Sequence, residues 1–224
     1  MPLILILVDC GLELIPKRIR DHPAIKKNLS SRIYASQLLD NALHHSAMKN
    51  IKDREKRGRP DIIHSCLLNA LGSSLNKNGN LELYIHTIKN KVFKFNPEIR
   101  IARNFNRFKG LMAKLLIDGS IETENTKLIS LFEGSLTELI TNFIDPEIYI
   151  FSKKGRMVDN YKELFTEDIT KNYITIVGGF QKSIFSKDIL KLSENLISIS
   201  QHSLDAWIVS NRIITYYELT YRIL

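Results

Sequence analysis

The run LILILVDC, Leu3–Cys10, is apolar at every position from Leu3 to Val8 and closes on Asp9, Cys10 and the following Gly11. A strand covered on one face alternates apolar and polar residues, whereas one covered on both faces is apolar throughout. The run therefore predicts a central strand of a parallel sheet with a turn after it. It is too short to cross a bilayer and has no basic flank of the kind that opens a secretion signal, so neither membrane insertion nor export is expected.

Outward from this strand, the C-terminal third repeats the pattern. Candidate strands at 148–151, 173–177 and 196–200 are each followed by a loop: Ser152-Lys153-Lys154-Gly155, Gly178-Gly179-Phe180 and Gln201-His202-Ser203-Leu204. A final helix is expected from Asp205 through Trp207, Val209 and Ile213. Three loops at the carboxyl ends of parallel strands would share one edge, where such sheets bind small ligands.

Between these ends the reading is helical, then hairpin. A helix is expected from residue 30 or 31 to about 50, with Ile33, Leu38, Leu39, Ala42 and Leu43 inward and His44-His45 at its surface. Gly58 breaks the helical pattern, Pro60 suits the first turn of the next helix, the dipole there favours Asp61, and Gly72 ends it. Residues 76–80 read as a turn, and 81–87 with 91–95 as a hairpin across Lys89-Asn90. A short strand is expected at 121–123 and a helix end at 136–143.

The chain carries 32 Lys and Arg against 24 Asp and Glu. Up to Met112 the figures are 20 and 9, and beyond it 12 and 15, so the positive excess belongs to the first half. That asymmetry points to a localised polyanion-binding surface. Its centre is NPEIRIARNFNRFKGLM, residues 96–112, where Glu98 alone opposes Arg100, Arg103, Arg107 and Lys109. In a helix the three arginines, at offsets of three and four, would share a face. Guanidinium forks in a row match consecutive phosphates, each donating two parallel hydrogen bonds.

Other chemistries lack their residues. Cys10 and Cys66 form no CxxC pair, which argues against a disulfide framework or a zinc site and fits a reducing cytoplasm. The six histidines have no metal-ligand spacing, and no P-loop, serine triad or GxGxxG fingerprint is present. At 224 residues the chain fits one large domain, with room for an insertion.

Taken together, Arg59-Pro60-Asp61-Ile62, the 96–112 run, Ile176-Val177-Gly178-Gly179-Phe180 and the segment from Ile197 to Trp207 resemble the ribosomal RNA small-subunit pseudouridine methyltransferase family, in an archaeal-type form. The resemblance covers nearly the whole chain, and the family belongs to the SPOUT superfamily of knotted methyltransferases. It implies an α/β fold: a mostly parallel sheet whose C-terminal part is threaded through a trefoil knot, an exception to the rule that chains do not knot. A single domain would span 1–224, with an inserted α+β segment carrying the β-hairpin at about 54–112. The resemblance further implies a homodimer in the cytoplasm, acting on small-subunit rRNA alongside other ribosome-assembly factors, with no DNA or membrane partner.

The reaction implied is transfer of a methyl group from S-adenosyl-L-methionine to ring nitrogen N1 of a pseudouridine, without a metal. By the same resemblance Arg59, Arg100, Arg103 and Arg107 would contact the RNA, and Gly178, Gly179, Ser183, Ile199, Ser200, Gln201, His202, Ser203 and Leu204 would hold the cofactor. Asp61 would fix Arg59 by a paired hydrogen bond and is the one motif carboxylate nominated as general base. Two positions depart from the family: Ser183 stands where a second glycine is common, and Ser203 where a proline precedes the leucine. They sustain an alternative, an rRNA-binding ribosome-assembly factor that methylates weakly or not at all. A related knotted enzyme acting on transfer RNA is disfavoured by Arg59-Pro60-Asp61 together with the arginine run.

Overall fold

β1 (Leu3–Cys10) runs through the middle of an eight-stranded sheet, and all of its residues are buried. Leu3, Leu5 and Leu7 enter one apolar layer, while Ile4, Ile6 and Val8 enter the other, which is why the strand is apolar throughout. The structure is a computed structural model and describes residues 2–166, 168 and 170–223. The remaining strands are β2 (Leu81–Thr87), β3 (Val92–Phe95), β4 (Ser120–Glu122), β5 (Lys127–Phe132), β6 (Glu147–Met157), β7 (Tyr173–Gly178) and β8 (Leu196–Ser198). Their order is β4-β5-β3-β2-β1-β7-β6-β8.

From β2 to β8 every neighbouring pair is parallel, with Leu5 opposite Leu83 on one side and Thr175 on the other. The tight turn after β2 reverses the chain, so β3, β5 and β4 extend the sheet as antiparallel strands. The sheet is thus mixed, and the expected hairpin is the start of a three-stranded antiparallel wing. β5, KLISLF, forms in a stretch of sequence with no clear period. The long helices Pro60–Gly72, Phe105–Asp118 and Ala206–Tyr221 cover the face that takes Leu3, Leu5 and Leu7, and the short Leu136–Thr141 helix lies on the opposite face. Among the described residues no helix is long and apolar enough to cross a membrane.

The helix expected at 30–50 does not form. The segment splits into Tyr34–Gln37, Asn41–His44 and a 3-10 turn at His45–Met48. The break falls where backbone partners compete. Ile15 N donates to Gln37 O at 2.8 Å and Leu39 N to Glu13 O at 2.9 Å, holding 37–39 extended against 13–15. Such tertiary pairing overrides helix propensity. Asp40 then caps the next turn by accepting from Ala42 N at 3.0 Å. As a result Ile33 and Leu43 are 57% and 48% exposed and Ala42 is exposed too, while His44, expected at the surface, is buried.

The expected turn at 76–80 begins with one helical turn, Ser74–Lys77, and closes through Gly79 at φ 72°. The expected loop 152–155 is a bulge inside β6 instead, because Phe151 and Arg156 both pair with Ile197. Gly155 permits this. A Cβ there would lie 2.5 Å from Ile197 N and from the Leu196 carbonyl, both backbone.

Candidate nucleic-acid interface and donor cleft

The Pro60–Gly72 and Ala206–Tyr221 helices pack side by side, and two contacts set their direction. Cys66 lies against the Ser210 hydroxyl, and Leu75 N, just past the first helix, donates to Glu218 Oε1 at 2.8 Å. Both contacts advance in the same direction along the two helices, so the helices run parallel with their N-termini at one end. Residues 59–61 therefore stand beside Asp205, the N-cap of the terminal helix and the residue after Leu204.

Arg59 occupies the N-cap position and its N–H donates to Gly11 O at 3.3 Å, while Pro60 takes the first helical position. The Arg59 guanidinium donates from Nε to Asp61 Oδ1 at 2.8 Å and from Nη2 to Asp61 Oδ2 at 2.6 Å. This bond raises the guanidinium above its ordinary value against a lowering by burial, and the carboxylates of Asp61, Asp205 and Asp40 act on it in the same sense as the bond. The paired fork is the geometry that the family resemblance implied.

The arginine run is not one helix. Asn104 caps a helix that begins at Phe105, accepting from Arg107 N at 3.1 Å, so Arg100 and Arg103 precede it. Arg100 is exposed between the buried Ile99 and Ile101, and Arg103 is exposed in the bend that leads into the helix. The segment is tied down beside Asp61 by His64, whose Nε2 contacts Ala102 O at 2.7 Å and whose ring stacks on Phe108 at 4.4 Å. Arg100, Arg103 and Arg107 are exposed, and none pairs with another described residue. Lys109 differs. Its ammonium is buried against Asp40 at 2.9 Å and 5.1 Å from the Phe105 ring, so it is unavailable to a ligand. A separate groove of about 490 Å³, lined by Lys17, Arg18, Lys52, Arg57 and Lys89 with Asp53 as its one acid, adds to the basic surface.

The bulge within β6 and the segments that follow β7 and β8 enclose two adjoining hollows. One of about 390 Å³ is lined by Gly178, Phe180, Ser183, Ser203 and Leu204 among others; one of about 80 Å³ by Ile199, Ser200, His202, Ser203 and Leu204 with Phe151. Phe151, Ser152, Lys153, Val209 and the Ser203-Leu204 pair belong to both. Gly179 and Gln201 are absent from both linings. Gly179 is instead a packing glycine: a Cβ would lie 2.4 Å from Cys10 Sγ and 2.8 Å from Ile63 Cδ1.

Comparison with known proteins decides the lineage. Residues 5–218 match the family model described as EMG1/NEP1 methyltransferase. The chain belongs to the EMG1/NEP1 methyltransferase family. It is 38% identical over 226 residues to the ribosomal RNA small subunit methyltransferase Nep1 of Staphylothermus marinus, covering 100% of this chain and 98% of the relative. It is 39% identical to the enzyme of that name from Thermococcus onnurineus, covering 96% and 97%. Its fold matches the crystal structure of Archaeoglobus fulgidus Nep1 bound to S-adenosylhomocysteine, with a TM-score of 0.85, 32% identity and coverage of 99% and 100%.

In this EMG1/NEP1 chain several supporting residues carry no signal in the sequence. His64, Asp205 and Ser210 lie on ordinary helical patterns and show their partners only in three dimensions. For Lys56 a weak signal existed, a lysine between Glu55 and Arg57 in a charged run, and nothing marked it as buried.

Proposed function

We propose that the chain transfers the methyl group of S-adenosylmethionine to ring nitrogen N1 of a pseudouridine in small-subunit ribosomal RNA, as a step in building that subunit. The observation that carries this reading is the placement of the Arg59–Asp61 fork beside Asp205, next to the Leu204 end of the cleft. It supports an RNA base delivered by arginines to a donor held between the bulge of β6 and the loops after β7 and β8.

The cleft suits S-adenosylmethionine by its chemistry. Phe180, Phe185 and Leu204 offer apolar walls for a purine, and Ser152, Ser183 and Ser203 offer hydroxyls near them. Bound there, the donor supplies an activated methyl on a positively charged sulfur. The chain's own residues then have two tasks. Arg100, Arg103 and Arg107 grip phosphates, and Arg59 holds the RNA near the flipped-out base. Alignment of nitrogen, methyl carbon and sulfur supplies much of the rate. As the N1–C bond forms, the C–S bond breaks with its electron pair returning to sulfur, and the N1 proton passes to solvent water. Both Asp61 oxygens are engaged by Arg59, which supports orientation as its role ahead of general base.

The resemblance carries three further parts of the proposal: a trefoil knot in the C-terminal part of the sheet, residues 54–112 as the RNA-binding insertion, and a homodimer in the cytoplasm. The terminal helix leaves Ile208 and Leu219 exposed, apolar surface of the kind a second copy would cover. Cys10 and Cys66 are free and buried, as in a reducing compartment.

The deciding experiment measures labelled methyl transfer from S-adenosylmethionine to a small-subunit rRNA fragment carrying uridine or pseudouridine at the target position. Transfer to the pseudouridine RNA alone, lost in an Arg100→Ala/Arg103→Ala variant, is expected. Transfer to both RNAs would refute N1 as the acceptor, because N1 of uridine is already bonded to the sugar.

A further inference from the structure

At the end of β1, Asp9 takes a left-handed backbone conformation (φ 52°) that residues other than glycine rarely adopt. Its buried carboxylate joins two distant segments. Oδ2 accepts from Lys56 Nζ at 2.7 Å and from the backbone N–H of Ser186 at 2.8 Å. The same ammonium stands 5.1 Å from the centre of the Phe180 ring, close enough for attraction to its face. Gly11 makes room for this approach, since a Cβ there would lie 2.2 Å from the Lys56 carbonyl oxygen.

The loop 179–186 is thus pinned to β1 at both ends. Gly179 N donates to Val8 O at 2.8 Å, Ser186 N donates to Asp9, and residues 181–184 between them are exposed. Phe180 packs edge-on against Phe185, ring centres 5.5 Å apart, and both rings line the 390 Å³ cleft. Lys56 does not line it. A buried ion pair contributes little net stability, because desolvation offsets the attraction, but it fixes geometry. Here the geometry fixed is one wall of the cleft. Three residues after Lys56 comes Arg59, so the short stretch that supports this wall also leads into the phosphate-facing fork.

We infer that Asp9 and Lys56 are positioning residues that hold the loop 179–186, through Phe180 and Ser186, in the shape that receives the methyl donor. This rests on reading the cleft as the S-adenosylmethionine site. Neither residue touches the donor; each acts on the loop that does.

Calorimetric titration with S-adenosylhomocysteine tests it on the full chain. Lys56→Met keeps the aliphatic stem and removes the ammonium; it is expected to weaken binding at least tenfold, with Lys56→Arg recovering most of the loss. Binding of the rRNA fragment should stay within twofold, and the KM for S-adenosylmethionine should rise much more than kcat falls. Asp9→Asn, which still accepts from Ser186 N, provides the same test should Lys56→Met fail to fold. Wild-type affinity retained in Lys56→Met, or an equal loss of donor and RNA binding, overturns the inference. A wild-type chain that does not bind S-adenosylhomocysteine overturns the donor-site reading itself, and this inference with it.

Discussion

Asp61 turns both carboxylate oxygens toward Arg59, two residues away, at 2.8 and 2.6 Å across the first turn of a helix. The side chains are 45% and 18% exposed respectively, so the pair is screened on one side and contributes little to stability, about 0–1 kcal/mol. Its value is directional. A mobile arginine loses entropy on binding a phosphate, whereas a fork already held loses less. Asp61→Ala should therefore lower affinity for the rRNA fragment about tenfold, roughly 1.4 kcal/mol, with little change in the urea midpoint. Anisotropy titration and urea melts separate the two effects. In Asp61→Asn, normal RNA binding with no methylation would reassign the residue as general base.

Arg107 and Lys109 lie two positions apart on one helix and should behave oppositely. Arg107 is exposed with no partner among the described residues, so Arg107→Ala should leave stability within about 0.5 kcal/mol and reduce the salt dependence of RNA binding by about one phosphate contact. Lys109 pairs with Asp40, both side chains under a tenth exposed. Lys109→Met strands that carboxylate in the interior, a loss of about 3–5 kcal/mol, and should lower the urea midpoint sharply. A stable Lys109→Met chain with weakened RNA binding would return Lys109 to the interface.

That contrast shows what the sequence could and could not reveal. β1 was legible because a strand buried on both faces has no polar position except at its end, whereas the Arg59–Asp61 fork was expected only through the family resemblance, and its two-residue spacing made it physically reasonable. The helix expected at 30–50 failed for the opposite reason. Its apolar spacing was helical, yet residues 37–39 were claimed by Glu13 and Ile15, a pairing no local pattern records. Lys109 and Lys56 look like any surface lysine in the chain, and their burial depends on Asp40 and Asp9, 69 and 47 residues away. Of the cleft lined by Gly178, Phe180 and Leu204, the loops after β7 and β8 were visible as strand ends, but the bulge inside β6 and the ties of Gly179 to Val8 and Ser186 to Asp9 were not.

Both cysteines should be silent to thiol reagents in the folded chain. Burial pushes the Cys66 thiol up to about 12 and the Cys10 thiol well above its usual value, and the thiolate is the reactive form. Neither group should react with an aromatic disulfide at pH 8 until denaturant opens the core, and then both should react together. Fast labelling of one thiol under native conditions would show that the contacts of Gly179 with Cys10, or of Cys66 with Ser210, open locally.

Stability should fall on mild acidification, and two histidines account for it. Burial lowers the His44 pKa, with Asp40 opposing and Lys109 reinforcing the shift; burial also lowers that of His86, opposed by Asp9 and the Asn90 bond and reinforced by Lys56. Geometry agrees with neutral rings. His44 Nδ1 accepts from Asp40 N at 3.1 Å, and His86 Nδ1 accepts from Asp9 N at 3.4 Å, so a proton on either nitrogen would face a donor. The unfolded chain, titrating near pH 6.5, binds those protons first. Protons taken up preferentially by the unfolded state make stability rise with pH, so their contribution is whole above pH 6.5 and is lost as pH falls through the lower folded values. Each such proton is worth up to about 1.4 kcal/mol per pH unit over that window. The depressed carboxylates of Glu82 and Glu138 act only below their ordinary value of 4.5, which leaves pH 5.5–7.5 to the histidines. Urea midpoints across that range should decline in the wild type and decline less in His44→Asn, whose amide oxygen can still accept from Asp40 N. An unchanged slope in His44→Asn would assign the acid sensitivity to His86 or to another group.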